Sequence, residues 1–314
     1  MDLFIPTLNQ MVFLFAFIVI GFLLGKFRIV PTTAAGILAK LENWIFIPAL
    51  VMQTFIGNFT VSKLGTTWKL LAFGFVIDAV VIPISFFITK AVTRDSYIRK
   101  IYLYGLCFSN FGFMGNAVVS ALFPDIFFEY VVFTLTLWIP IYLWGVPALL
   151  MSDGEKKPFS ERLKAFVNPM FIAMIIGMVI GITGITLPSS INSVIDVSAS
   201  CMSPVAMILT GITVSQIDLR QTFSRVSVYV VSVLRLLVYP LVGIALFALI
   251  PIEIPTAYVI CAICTLAMPL GLNTIVIPAA YGKDTSVASG MALISHLLSV
   301  ATIPVVFMLL RMVL

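Results

Sequence analysis

Apolar residues along this chain fall in long runs instead of alternating or recurring on a single face. Ten such stretches can be marked, at residues 4–24, 37–57, 68–89, 101–122, 127–151, 166–185, 191–214, 226–250, 256–280 and 287–311. Each approaches the about 20 residues that a helix needs to cross a hydrocarbon core about 30 Å thick. The strands of a membrane barrel are shorter and alternate apolar with polar positions, so these runs predict helices. The connections are short, and the most polar, SDGEKKPFSERLK at 152–164, lies at the middle of the chain. The pattern predicts an all-α membrane protein. Five helices occupy 1–151, a linker follows at 152–165, and five more helices occupy 166–314.

Composition agrees with a membrane protein and leaves little room for anything else. Of 314 residues, 61% are apolar and 10% are charged, against about 25% charged in a soluble domain. The net charge of +5 includes no run of five or six basic residues, so nucleic acid is not an expected partner and membrane lipid is. The distribution of Lys and Arg sets the orientation. The first, third, fifth, seventh and ninth connections hold fourteen, the opposite side holds three, and Arg235 remains inside a helix. Positive charge stays in the cytoplasm, so the linker is cytoplasmic and both termini lie outside the cell membrane. The first Lys or Arg is Lys26. The N-terminal segment therefore lacks a signal peptide's basic region and is expected to remain as a membrane helix.

Five helices per half is an odd number, so the second half enters the membrane from the opposite side. Several features recur in matching order, as an inverted repeat requires. Asp78 in the third helix precedes Pro83 by five residues, and Arg235 in the eighth precedes Pro240 by five. Pro48 and Pro204 fall inside the second and seventh helices. The fourth helix is interrupted by SNFGFMGN at 109–116 and the ninth by AMPLGLN at 267–273. Glycine and proline at mid-membrane predict backbone that leaves helical geometry, which is tolerated only inside protein or beside a water-filled cavity. Asn110, Asn116 and Asn273 supply donors and acceptors there, to freed backbone or to a solute.

Few other residues carry candidate chemistry. Asp78 and Arg235 are costly in a membrane helix. They either pair with each other or serve separately, Arg235 against an anion and Asp78 on a proton, a cation or a network. His296 in the tenth helix is either a packing residue or a proton relay. Lys40 and Glu42, at the start of the second helix, read as residues of the membrane interface. Cys107, Cys201, Cys261 and Cys264 read as small packing residues. No cofactor or metal is expected: the chain has one His and no P-loop, HExxH or GxSxG motif, so it does not read as an enzyme.

NFGFMGNAVV at 110–119 resembles the fourth-helix NxGFxGxP signature of the auxin efflux carrier family. The resemblance extends through KFRIVPTTAAGILAKLENWIFIPAL, AMPLGLN, IPAAYGKDTSVASG and SHLLSVATIP, which is essentially the whole chain. It implies ten helices in two inverted five-helix halves, as in sodium/bile-acid symporters, with broken helices 4 and 9 crossing at the substrate site. It further implies a scaffold of helices 1, 2, 6 and 7, often the homodimer contact, and a transport domain of helices 3–5 and 8–10. The implied substrates are small organic anions, auxin-like acids or dicarboxylates such as malate and malonate. Asn110, Gly112 and Gly115 match the fourth-helix motif, Pro269 matches the ninth-helix proline, and Asp78 stands where relatives have an acid. Ala117 replaces the motif's proline, so the first break relies on glycine.

The sequence is thus read as a secondary transporter of a small carboxylate. Its substrate site takes Asn110, Gly112, Gly115, Asn116, Arg235, Pro269, Gly271 and Asn273, and ion or proton coupling takes Asp78 and His296. Coupling to a proton, to sodium or to neither is left open. The alternatives are a sodium-coupled organic anion symporter of the bile-acid type and a membrane receptor for such a ligand. Orientation is directly testable. In a background lacking the native cysteines, Asp153→Cys is expected to label only from the cytoplasm and Ser189→Cys only from outside. Labelling of both from one side would break the five-plus-five threading.

Overall fold

The computed structural model describes residues 4–31, 33–150, 169–216, 225–251, 253–271, 273–280, 283 and 286–314. The expected linker at 152–165 lies outside them. The helices are α1 (Phe4–Lys26), α2 (Ala34–Asn58), α3 (Val61–Val92), α4a (Ser96–Cys107), α4b (Phe111–Leu122) and α5 (Pro124–Leu150). They continue as α6 (Pro169–Thr183), α7 (Ser189–Ser215), α8 (Val226–Leu249), α9a (Thr256–Ala267), α9b (Asn273–Ala280) and α10 (Ser286–Val313). Seven of them, α1, α2, α3, α5, α7, α8 and α10, are long and apolar enough to cross a bilayer. Among the described residues there is no strand, only a single antiparallel bridge between Ser109 and Leu270.

The start of α4a and the placement of Glu42 differ from the sequence reading. α4a begins at Ser96, not near 101, because the Asp95 carboxylate accepts from the amides of Tyr97 (2.8 Å) and Ile98 (2.9 Å). That cap starts the helix within a charged stretch that hydropathy alone passes over. Glu42 is not an interface residue. It is fully buried, with neither carboxylate oxygen hydrogen-bonded, and the Ala206 main chain on α7 lies near it. It opens a π-helical turn, Glu42–Phe46, which shifts the helix face and carries the side chain inward.

The helices pack in two groups. α1 lies along α7, and α2 packs on α6 and α7; α3 packs on α4a and α5, and α8 packs on α9a and α10. The groups meet where α1 and α7 touch α10 and α4b and where α2 touches α5. Helices in lipid associate through close packing, which favours small residues at the contact. The α1–α7 crossing illustrates this. A Cβ at Gly21 would lie 2.9 Å from the Ile208 carbonyl carbon, and one at Gly211 would lie 2.6 Å from the Phe22 nitrogen. Both clashes are with main chain, which cannot swing aside.

Gly21→Ala and Gly211→Ala are therefore each expected to lower thermal stability in detergent, by about 1–3 kcal/mol, with non-additive effects in the double variant. Gly57→Ala, with nothing within 4 Å of the added methyl, is the control and is expected to leave stability unchanged or slightly raised. Equal losses at all three positions would show that close approach is not what the glycines provide.

Candidate functional site

Both interruptions foreseen at the fourth and ninth helices are present, and they meet. α4a stops at Cys107 and α9a at Ala267, and the chain is helical again from Phe111 in α4b and from Asn273 in α9b. A helix of 12 residues is about 18 Å long, so each first half reaches roughly the middle of a bilayer. There the amide of Asn110 donates to the Pro269 carbonyl at 2.7 Å. The Ser109 hydroxyl donates to the Thr265 carbonyl at 2.9 Å. Gly271 permits the approach, because a Cβ there would lie 3.2 Å from the Phe108 carbonyl oxygen. Pro269 leaves α9a without a donor to continue the helix, and its carbonyl is turned outward to the other break.

The two asparagines at the breaks are both held by the protein. Asn110, 3% exposed, donates through Nδ2 to His296 Nε2 at 3.1 Å. His296 Nδ1 lies 2.7 Å from the Ala292 carbonyl, which can only accept. The network therefore assigns the proton of the neutral ring to Nδ1 and leaves Nε2 to accept from Asn110. Asn273 Nδ2 donates to the Tyr104 hydroxyl at 3.2 Å. Next to His296, the Ser295 hydroxyl accepts from the Leu270 amide at 3.2 Å, so α10 supports both breaks.

Asn116 is different. It is 7% exposed, yet its side-chain amide makes no hydrogen bond to any described residue. It follows Gly112 by four residues and so shares its helix face, with the side chain inclined back over that turn. Gly112 itself faces open space, with nothing within 4 Å of where a Cβ would be. Gly115 does not: a Cβ there would collide with the Tyr130 hydroxyl, which donates to the Phe111 carbonyl at 3.2 Å. The first turn of α4b, Phe111–Gly115, is π-helical, and its leading amides have no carbonyl earlier in the helix to pair with. Open space, the leading amides of α4b and a carboxamide with no hydrogen bond to any described residue therefore coincide on one side of the fourth-helix break.

Arg235 sits on the other side. It belongs to a π-helical turn of α8, Leu234–Val238, is 1% exposed, and lies 5.8 Å from the Tyr239 ring centroid. Its Nη1 donates to the Leu106 carbonyl (2.8 Å), its Nη2 to the Thr265 carbonyl (2.7 Å), and its Nε points at the Met268 carbonyl (3.4 Å). Asp78 on α3, 7% exposed, is close enough to interact with Arg235 electrostatically. Among the described residues, no ion pair within 4.0 Å joins them. One Asp78 oxygen, Oδ2, is buried without a hydrogen-bond partner, and Thr136 on α5 is a close neighbour of the carboxyl. The Tyr239 hydroxyl bonds Ser85 of α3 at 2.9 Å.

The sequence reading passed over Tyr104, Ser109, Tyr130, Thr136 and Ser295. Ser109 stood inside the SNFGFMGN interruption and was recoverable. The other hydroxyls lie in ordinary helical runs and carry no signal. Cys107, Cys261 and Cys264 are buried free thiols.

Helices that break and cross at mid-membrane, with unpaired polar groups gathered there, define a class: membrane transporters built on discontinuous helices. Comparison with known proteins narrows the class. Residues 6–162 and 159–307 match the family described as Membrane transport protein, and the chain belongs to that family, whose members include the auxin efflux carriers. A protein of Rhizobium meliloti (strain 1021) named "Putative malonate transporter" is 23% identical over 316 residues, 95% of this chain and 93% of that protein. The chain is a membrane transporter.

The glycine environments generate a differential test. Gly115→Ala is expected to displace Tyr130 and lower thermal stability by about 1–3 kcal/mol. Gly112→Ala is expected to purify with a wild-type melting temperature, because its methyl enters space that is already empty. Equal destabilisation of both would mean that the space beside Gly112 is closed.

Proposed function

We propose that the protein is a secondary transporter of a small carboxylate, working by alternating access around the crossing of α4 and α9. Ten spans thread as two inverted five-helix halves in the cell membrane, with both termini outside. α1, α2, α6 and α7 form the scaffold and the homodimer contact, and the remaining helices form the moving domain. The two packing groups support this division, and the hydrogen bond from Asn110 to Pro269 supports a shared site. The observation that carries the reading is the Asn116 amide, which makes no hydrogen bond to any described residue, over the open side of Gly112. There a carboxylate would find a free N–H donor, the leading amides of α4b and the positive end of its dipole. Gly115, Gly271 and Pro269 shape the site, while Asn110 and Asn273 hold it and offer their remaining polar atoms to the solute.

Asp78 is the coupling residue in this reading. Asp78 Oδ2 is buried with no hydrogen-bond partner, and an ionised carboxylate oxygen left without a donor is costly. A proton on the carboxyl removes that cost. Protonation of Asp78 would also remove a negative charge that opposes the incoming anion. His296, buried and bonded on both ring nitrogens, supports Asn110 and is a secondary candidate for moving the proton.

Uptake of radiolabelled malonate into proteoliposomes, with proton and sodium gradients imposed separately, tests this directly. Saturable uptake that responds to the proton gradient is expected. Asp78→Asn should abolish that response, and Asn116→Ala should weaken malonate binding about tenfold or more, the value of a hydrogen bond to a charged group. A response to sodium alone would favour the bile-acid type of symport. No uptake of malonate, malate or other small acids by folded protein would overturn the reading.

A further inference from the structure

The carrier reading gives Arg235 no settled task, and the sequence suggested that it grips the substrate anion. Its hydrogen bonds indicate otherwise. A helix end carries about half a unit charge, negative at the C-terminus, so two such ends converging at one point carry about one negative charge. The C-terminal ends of α4a and α9a converge in this way, and the guanidinium lies between them, bonded to Leu106 on one and Thr265 on the other. The buried cation is matched by dipoles in place of a carboxylate, which answers the cost of burying an unpaired charge. Only a planar fork can address two helix ends along separate directions at once; a lysine ammonium is a single point.

We propose that Arg235 is a resident counter-charge that staples the two interrupted helices together through their C-terminal carbonyls. It is a positioning residue and does not bind the transported solute. Two consequences follow. With the negative ends neutralised by a fixed charge, the positive ends of α4b and α9b are left uncancelled, which gives the crossing its preference for anions. The place between the two helix ends is also filled by a side chain, so the crossing forms without a dissolved cation. The idea rests on the carrier reading only for the first consequence; the staple itself concerns the chain alone.

The test therefore uses no substrate. Hydrogen exchange is followed in purified protein at Phe108, Asn110 and Leu270, whose amides bond to Tyr104, Pro269 and Ser295 across or beside the breaks. The α1–α7 crossing serves as the internal control. Arg235→Met, neutral and of similar length, is expected to speed exchange at the breaks by about tenfold to a hundredfold and leave the control unchanged. Arg235→Ala should behave likewise, and millimolar guanidinium chloride, but not sodium chloride, should restore its protection. Should the neutral variants fail to fold, Arg235→Lys keeps the charge without the fork and is expected to loosen exchange at one break while protecting the other. Wild-type melting should be the same in sodium, potassium and choline. Wild-type protection in Arg235→Met or Arg235→Lys, or sodium restoring Arg235→Ala as well as guanidinium does, would overturn the staple. A sodium-specific rise in wild-type melting would overturn the claim that no dissolved cation is needed.

Discussion

Backbone that leaves helical geometry inside a bilayer must find its hydrogen-bond partners within the protein, and this constraint organises the whole molecule. One broken helix would bury orphaned amides and carbonyls that no water reaches. Two broken helices placed back to back supply partners for each other: Asn110 donates to Pro269, and Ser109 donates to Thr265. The surrounding helices complete the set, α10 through Ser295 and His296, α5 through Tyr130 and α8 through Arg235. α5, α8 and α10 of the second packing group thus help to hold the crossing, while α1 and α7 lock to each other through close contacts at Gly21 and Gly211.

Satisfaction is not uniform, and the exceptions fall on one side. On the C-terminal side of the breaks, the carbonyls are met by Arg235 and by the opposite chain segment. On the N-terminal side of α4b, the Asn116 carboxamide makes no hydrogen bond to any described residue, and a Cβ at Gly112 would meet nothing within 4 Å. Asp78 lies near Arg235, and among the described residues no ion pair joins the two.

Much of this was legible in the sequence, for identifiable reasons. Helix positions followed from apolar runs. The breaks followed from Gly112, Gly115, Pro269 and Gly271 standing where a spanning helix has no use for them. What the sequence hid were interactions with main chain. The partners of Arg235 are carbonyls, which every residue has, so no motif marks them and an anionic ligand was the natural guess. The depth of Glu42 depended on a π-helical turn that side-chain patterning does not encode. The start of α4a depended on a single cap at Asp95. Asn110 and His296 stand 186 residues apart, and their pairing follows only from the packing of α10 on the crossing.

The position of a bound carboxylate distinguishes these roles most directly. A cryo-electron microscopy map of the protein with malonate would show whether the acid lies on the N-terminal side of the fourth-helix break. The expected result is a carboxylate within hydrogen-bonding distance of the Gly112 and Phe113 amides and of Asn116, with Arg235 still bonded to Leu106 and Thr265. Malonate bound to the Arg235 guanidinium, with those carbonyl bonds broken, would contradict it.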